Sequence, residues 1–176
     1  MDYSMDIMID IETLGNKPWS VIASIGAVAF DYHTFTVSEN TFLANVTRSS
    51  CEEVGLAVDQ KTLDWWSKKD PQAWADLQSN QFPLPEALTS LKDWFFRVGG
   101  KNIWANGAAF DLPILETAYN FCGMRYPWHF MDVRDFRTAY NVLGYDWHAQ
   151  PKDGTHHNAL DDCRTQVRCL GEALGK

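Results

Sequence analysis

The sequence contains no long apolar run and no closely spaced pair of cysteines. No apolar stretch approaches the roughly 20 residues of a membrane span, and the first twelve residues are acidic where a targeting peptide would be basic. The four cysteines, Cys51, Cys122, Cys163 and Cys169, include no CxxC pair typical of zinc or redox chemistry. We therefore expect a cytoplasmic protein without membrane contact and without disulfides.

Positive charge is also scarce. The sequence has 15 Lys and Arg residues against 23 Asp and Glu residues, a net charge of −8. This argues against strong non-specific binding to duplex DNA, which depends on many basic contacts to phosphates. It does not exclude a nuclease, because carboxylates that hold metal ions contribute to the negative total. Aromatic residues make up 14% of the chain and offer surfaces for stacking the bases of a single strand.

The apolar pattern predicts one α/β domain over residues 1–176, a length typical of a single domain. Three strands come first, and further strands then alternate with helices, which indicates a mixed central sheet. The predicted strands span residues 7–12, 21–30, 35–46, 102–105 and 130–133. The last predicted helix, 158–174, carries an apolar stripe in which Cys163 is a core residue.

The first acidic motif, Asp10-Ile11-Glu12, ends the first predicted strand. Residues two apart in a strand point to the same face, so these two carboxylates repel each other unless a cation lies between them. A polar strand end that faces water explains the same pattern equally well. The next residues, Thr13-Leu14-Gly15, predict a turn that brings backbone N–H groups to a ligand.

The second motif, Asn106-Gly107-Ala108-Ala109-Phe110-Asp111, lies where a predicted strand passes to a helix. Ligands of open α/β sheets usually bind at such a position. Asp111 is therefore either a candidate ligand or the N-cap of the helix. The second interpretation is supported by Pro113, because proline is favoured in a first turn.

The third motif, His157-Asn158-Ala159-Leu160-Asp161-Asp162, opens the last helix. In a helix Ala159, Asp162 and Gln166 share one flank beside the apolar stripe, so Asp162 would face both the sheet and a pocket. The alternative is an acidic first turn stabilised by the helix dipole, with His157 an ordinary surface or core histidine.

The three motifs together indicate metal-dependent phosphodiester hydrolysis. Their carboxylates are hard oxygen ligands suited to Mg²⁺ or Mn²⁺ rather than to a thiolate zinc site. Two such ions, about 3.5–4 Å apart, stabilise the attacking and leaving oxygens of the reaction. A neutral histidine nearby can accept a proton from water. The candidate ligands are Asp10, Glu12, Asp111 and Asp162.

These motifs resemble those of the DEDDh exonucleases in the ribonuclease H-like superfamily. The matching residues are Asp10 and Glu12; Asn106, Phe110 and Asp111; and His157, Ala159 and Asp162. Longer stretches are similar to the small phage and bacterial exonucleases labelled exodeoxyribonuclease VIII-like, and to a mycobacterial-type 3′-5′ exoribonuclease. These stretches are Asp10 to Gly15, Ser24 to Val28, Trp65-Trp66 and Trp104 to Asp111.

The resemblance implies a ribonuclease H-like fold, with a mixed five-stranded sheet flanked by helices. It implies a 3′-5′ exonuclease that acts on single-stranded DNA or RNA with a free 3′ end and releases nucleoside 5′-monophosphates. Two Mg²⁺ or Mn²⁺ ions would be held by the four carboxylates, with Asp10 shared between them, and His157 would be the general base. A homodimer is also expected. The implied substrate-binding residues are Thr13, Leu14, Asn106 and Phe110.

The doubled residues of the third motif, His156-His157 and Asp161-Asp162, allow two registers. Only the register that starts at His157 puts Ala159 in the family's small-residue position, so we assign His157 and Asp162. Helical phase does not decide between the two aspartates. Two further acids, Asp132 and Asp135, are expected at the surface or at helix caps.

Other functions fit parts of the sequence. An HD-type phosphohydrolase needs a His-Asp dipeptide, which the sequence lacks. A non-catalytic nucleic-acid-binding module usually loses ligands, whereas all five positions are filled here. A nuclease restricted to very short oligonucleotides stays open. So does the choice between RNA and DNA, because it depends on contacts to the 2′-OH.

Overall fold

The first strand separates two hydrophobic cores. The computed structural model describes residues 4–69, 71–154 and 157–176, and its first strand, β1, spans Met5–Thr13. Ile7, Ile9 and Ile11 pack into one core, whereas Met8 packs into the other. Since side chains alternate along a strand, Asp10 and Glu12 continue the face of Met8, as the sequence predicts.

Six strands form one mixed sheet in the described part of the chain. After β1 come β2 (Ile22–Phe30), β3 (Phe42–Val46), β4 (Gln81–Phe82), β5 (Gly100–Ala105) and β6 (Val133–Asp135). Their order across the sheet is β4-β3-β2-β1-β5-β6. The pairs β1–β2 and β2–β3 are antiparallel and the other pairs are parallel. The sequence predicted five strands; β4, with two residues, is too short for a periodic signal.

Helices cover both faces of the sheet. The described helices are α1 (Arg48–Glu53), α2 (Gln60–Trp66), α3 (Pro71–Leu77), α4 (Leu84–Arg97), α5 (Ala108–Phe121), α6 (Phe136–Val142) and α7 (Ala159–Ala173). Residues of α4 and α5 complete the core that contains Ile7, and residues of α6 and α7 complete the core around Met8. No described helix is long and apolar enough to cross a bilayer.

Two predicted strands are shorter in the structure. The third strand begins at Phe42 rather than at residue 35, because the chain first makes a turn in which Phe35 has a φ of 56°. Most of the predicted strand 130–133 is the 3₁₀ helix Phe130–Asp132, and β6 follows it. Neither difference moves the three motifs from the elements predicted for them.

The last helix, α7, rests on the backbone of β2. A Cβ atom at Gly26 would lie 2.4 Å from the carbonyl carbon of Ala159, so only glycine permits this approach. The thiol of Cys163, a buried core residue as predicted, donates a hydrogen bond to the Gly26 carbonyl at 3.3 Å. Because Gly26 pairs with Asp10, this contact brings the start of α7 over the acidic end of β1.

Candidate active site

Three of the four predicted carboxylates converge where β1 meets the start of α7. One carboxylate oxygen from each of Asp10, Glu12 and Asp162 lies within 4.8 Å of the other two. The first two come from one face of β1, and the third comes from the first turn of α7. All three residues are half-buried, so the cluster lies in the molecule but keeps contact with solvent.

Asp111 is joined to this cluster through the backbone of β1. Its Oδ1 accepts a hydrogen bond from the backbone N–H of Ile11, the residue between Asp10 and Glu12, at 3.2 Å. The capping interpretation of Asp111 is wrong, because α5 begins earlier, after Gly107 with a φ of 99°. Asp111 therefore lies buried inside the first turn of α5.

Burial and mutual repulsion raise the pKa values of these carboxyl groups. Burial, followed by repulsion from Asp111, Glu12 and Asp162, raises the pKa of Asp10 well above its usual range. Burial and then the charges of Asp162 and Asp111 raise the pKa of Glu12 to about 8. Burial raises the pKa of Asp111 to about 7, although hydrogen bonds from backbone N–H groups oppose the shift. A cation would relieve the repulsion that these shifts reflect.

The structure brings Asp162, rather than Asp161, into the cluster. The carboxylate of Asp161 instead forms an ion pair with Arg164 at 3.2 Å. The helix is capped by Asn158, whose side chain accepts hydrogen bonds from the first turn. This placement supports the register that starts at His157; His156 lies outside the described residues.

His157 lies just before α7 in a left-handed backbone conformation, with a φ of 64°. This conformation is uncommon for residues other than glycine but is several-fold enriched for His, Asn and Asp. The half-buried imidazole contacts Trp65 and Trp66 edge to face, with ring centroids 5.3 and 5.8 Å apart. It is not one of the three groups that meet within 4.8 Å, and its role as general base stays a prediction.

Thr13 and Leu14 continue from the acidic end of β1, and both side chains are buried. The Thr13 hydroxyl donates to the carbonyl of Gly15 at 2.6 Å, and the Thr13 carbonyl accepts a hydrogen bond from Trp66 Nε1 at 3.0 Å. This turn is therefore tied to Trp66, one of the two tryptophans that contact His157. Contact of Thr13 and Leu14 with a nucleotide stays a prediction.

Asn106 and Phe110 lie on the β5–α5 side of the site. The Oδ1 atom of Asn106 is buried and has no hydrogen-bond partner among the described residues. The backbone carbonyl of Asn106 accepts a hydrogen bond from Arg137 at 2.9 Å. Phe110 exposes 38% of its surface, which leaves its ring open to a ligand. Their contact with substrate also stays a prediction.

Two residues outside the three motifs contact the elements of the site. Gln166, one turn after Asp162 on the flank noted from the sequence, donates from Nε2 to Asp10 Oδ1 at 2.9 Å. Asp135 is a helix cap, as expected: it accepts from Thr138 N at 2.6 Å and also from Ala108 N at 2.5 Å. The i, i+4 spacing from Asp162 indicates in the sequence that Gln166 lies on the same flank of the helix. No local sequence pattern links Asp135 to α5.

The architecture is that of DEDDh exonucleases. The nuclease domain of 3′hExo, a DEDDh family member solved with rAMP, has a TM-score of 0.63 at 19% identity, covering 98% of this chain and 92% of that one. Cell-death related nuclease 4 has a TM-score of 0.66 at 13% identity, covering 98% and 64%. Exonuclease I has a TM-score of 0.69 at 14% identity, covering 96% and 41%. The chain thus spans less than two thirds of the length of the last two proteins.

The sequence identifies a narrower group within this fold. The family model of the Rv2179c-like 3′-5′ exoribonuclease domain matches residues 5–174, and the chain therefore belongs to this family. No curated protein sequence matches the chain. The family match and the shared fold confirm the resemblance to DEDDh exonucleases and the predicted ribonuclease H-like fold class.

Proposed function

We propose that the chain is a 3′-5′ exonuclease that releases nucleoside 5′-monophosphates from the free 3′ end of single-stranded RNA or DNA. The observation that carries this proposal is the convergence of Asp10, Glu12 and Asp162, with Asp111 bonded to the backbone between the first two. Membership of a 3′-5′ exoribonuclease family supports it. Exonuclease I, which has the same fold, has been solved with a dA16 oligonucleotide.

The carboxylates fit divalent cations. Three oxygens meet within 4.8 Å, and burial with like-charge repulsion raises the pKa values of Asp10 and Glu12, which a cation would reverse. An all-oxygen donor set suits Mg²⁺ or Mn²⁺. We therefore assign two such ions to Asp10, Glu12, Asp111 and Asp162. Ions bound there would stabilise the negative charge that develops on the phosphate oxygens.

The remaining residues orient the substrate and move a proton. His157 accepts the proton of the attacking water as general base. Thr13 and Leu14 contact the terminal nucleotide at the end of β1. On the other side, the exposed ring of Phe110 offers a stacking surface for a base. Asn106 Oδ1, which no described residue bonds, offers a buried hydrogen-bond acceptor.

The test is a side-by-side digestion of labelled single-stranded RNA and DNA of one sequence, each with a free or a blocked 3′ end. We expect mononucleotides from free ends in Mg²⁺ or Mn²⁺, no release in EDTA, and poor recovery with Zn²⁺. Activity in chelated buffer would contradict the metal mechanism, and release from blocked ends would contradict the polarity. Binding without release would indicate a non-catalytic module, and cleavage of dinucleotides alone would indicate a nuclease for very short oligonucleotides.

A homodimer is part of the same proposal. Apolar side chains of Phe130, Met131 and Val142 are 72%, 68% and 80% exposed, and a second copy that covered them would remove apolar surface from water. Sedimentation equilibrium of the wild-type protein and of a Val142→Ser variant distinguishes a dimer from a monomer.

A further inference from the structure

Gln166 contacts the acidic cluster from inside the protein. Its side chain, on α7, is only 1% exposed. Its Nε2 atom donates to Asp10 Oδ1 at 2.9 Å, a normal length for a hydrogen bond to a charged acceptor. Glutamine is rarely buried to this extent, so the contact with Asp10 needs an explanation.

The other polar atom of the same carboxamide supports a role beyond packing. Gln166 Oε1 is buried and has no hydrogen-bond donor among the described residues. Such an atom is unfavourable in a folded protein, and an apolar side chain of similar length would avoid the cost. Since Oε1 and Nε2 share one planar group, the hydrogen bond from Nε2 to Asp10 also fixes the position of Oε1.

The observed orientation of the amide directs an N–H group, rather than the carbonyl oxygen, at Asp10. With the amide reversed, two oxygens would face each other, which is unfavourable for a charged carboxylate. In the observed orientation, the N–H group holds Asp10 against repulsion from its acidic neighbours. The backbone N–H of Ile11 acts on Asp111 in the same way.

We propose that Gln166 is a positioning residue, which fixes the Asp10 carboxylate in the orientation that binds a divalent cation. This inference rests on the proposed function. Gln166 contacts neither the cation nor the substrate in this scheme and acts only through Asp10. Replacing residues that orient metal ligands typically costs about 10–100-fold in metal affinity or activity.

Two substitutions separate this role from packing. Gln166→Met keeps the length of the side chain and removes both polar atoms, whereas Gln166→Glu keeps the shape and replaces the donor by an acceptor. The control is Cys169→Ala, which changes a buried residue of the same helix that packs into the core around Met8. Each protein is titrated with Mn²⁺ by calorimetry, and its kcat, KM and Tm are measured.

We expect both Gln166 variants to bind Mn²⁺ about 10–100-fold more weakly and to lose kcat, with KM for the oligonucleotide nearly unchanged. Cys169→Ala should keep the wild-type Mn²⁺ affinity and kcat even if its Tm falls. A folded Gln166→Met protein with wild-type Mn²⁺ affinity would overturn the inference. If that variant does not fold, equal or tighter Mn²⁺ binding by Gln166→Glu would overturn it instead. A wild-type protein that binds no Mn²⁺ would contradict the proposed function itself.

Discussion

At the scale of single residues, four carboxyl groups share one region of the protein and disfavour one another's charge. Burial and repulsion raise the pKa values of Asp10, Glu12 and Asp111, while Asp162 supplies part of the repulsion. A cation bound among these groups would turn an unfavourable arrangement of charges into a favourable one. Without a cation, these residues therefore lower the stability of the folded protein.

The first prediction follows from this conflict. We expect Asp10→Asn, Glu12→Gln, Asp111→Asn and Asp162→Asn each to abolish nearly all nucleotide release in Mg²⁺. The Tm measured in EDTA should hold or rise, because each change removes a repelling charge. The matched control is Asp161→Asn. Asp161 pairs with Arg164 on α7, and such a pair should contribute little to the free energy of unfolding. If one of the four variants keeps a near wild-type rate, the residue that it replaces is not a metal ligand.

The second prediction concerns His157. Loss of a general base typically costs about 10²–10⁴-fold, and we expect that loss of kcat in His157→Asn. Asparagine tolerates the left-handed backbone at this position, so the variant should keep its Tm and its affinity for Mn²⁺.

The control for this experiment is His156→Ala, which should lose little activity. If His156 proved essential and His157 dispensable, the third motif would shift by one residue and Asp161 would become the ligand. If both changes were tolerated, the enzyme would work without a histidine base and would depart from the DEDDh pattern.

At the scale of elements, one aspartate links the starts of two helices. Asp135 accepts a hydrogen bond from the first turn of α6 and another from the N–H of Ala108, where α5 begins. Helix α5 carries Asp111, so this link also helps to hold the second motif. The side chain of a residue in β6 thus supports the helix that carries the proposed ligand Asp111.

The third prediction measures this link. Asp135→Ala should lower the free energy of unfolding by about 1–2 kcal/mol, the usual cost of losing a helix cap. Urea denaturation of the metal-free protein gives this value. Asp132→Ala, three residues earlier in a 3₁₀ helix, is the control and should change stability little. If both variants lose the same free energy of unfolding, the hydrogen bonds from Asp135 to α5 and α6 do not account for the loss.

The sequence predicts secondary structure and candidate ligands where the pattern that reveals them lies within a few neighbouring residues. The alternation in β1 places Asp10 and Glu12 on one face, and the apolar stripe of α7 locates the helix that carries Asp162. Contacts between distant segments have no such signal: Gln166 and Asp10 are 156 residues apart. For the same reason the sequence could not decide whether Asp111 caps α5, because the answer depends on Gly107 and on the N–H of Ile11.

At the scale of the whole molecule, a net charge of −8 and the acidic cluster make stability depend on pH and on cations. The fourth prediction is that Tm in EDTA falls as pH rises from about 5 to about 8. The pKa of Glu12 is raised to about 8 and that of Asp111 to about 7, so the folded protein holds these protons more tightly than the unfolded chain. Their contribution is complete below the ordinary carboxyl pKa and is lost as pH passes the raised values.

Scanning calorimetry at constant ionic strength measures this dependence. Mg²⁺ should raise Tm most at the alkaline end of the range, where the carboxyl groups are ionised. Glu12→Gln should flatten the dependence in EDTA, because glutamine does not titrate. A Tm that rises with pH in EDTA would contradict the raised pKa values.

The contact between Gly26 and α7 has a mechanical consequence. A methyl group at this position would collide with the main chain of Ala159, which has no rotatable side chain with which to give way. Helix α7 would then have to move away from the sheet. Asp162 would move with it, whereas Asp10 and Glu12 would stay in β1. The side chain of Gly26 is a single hydrogen atom, and its small size therefore sets how closely Asp162 approaches the carboxylates of β1.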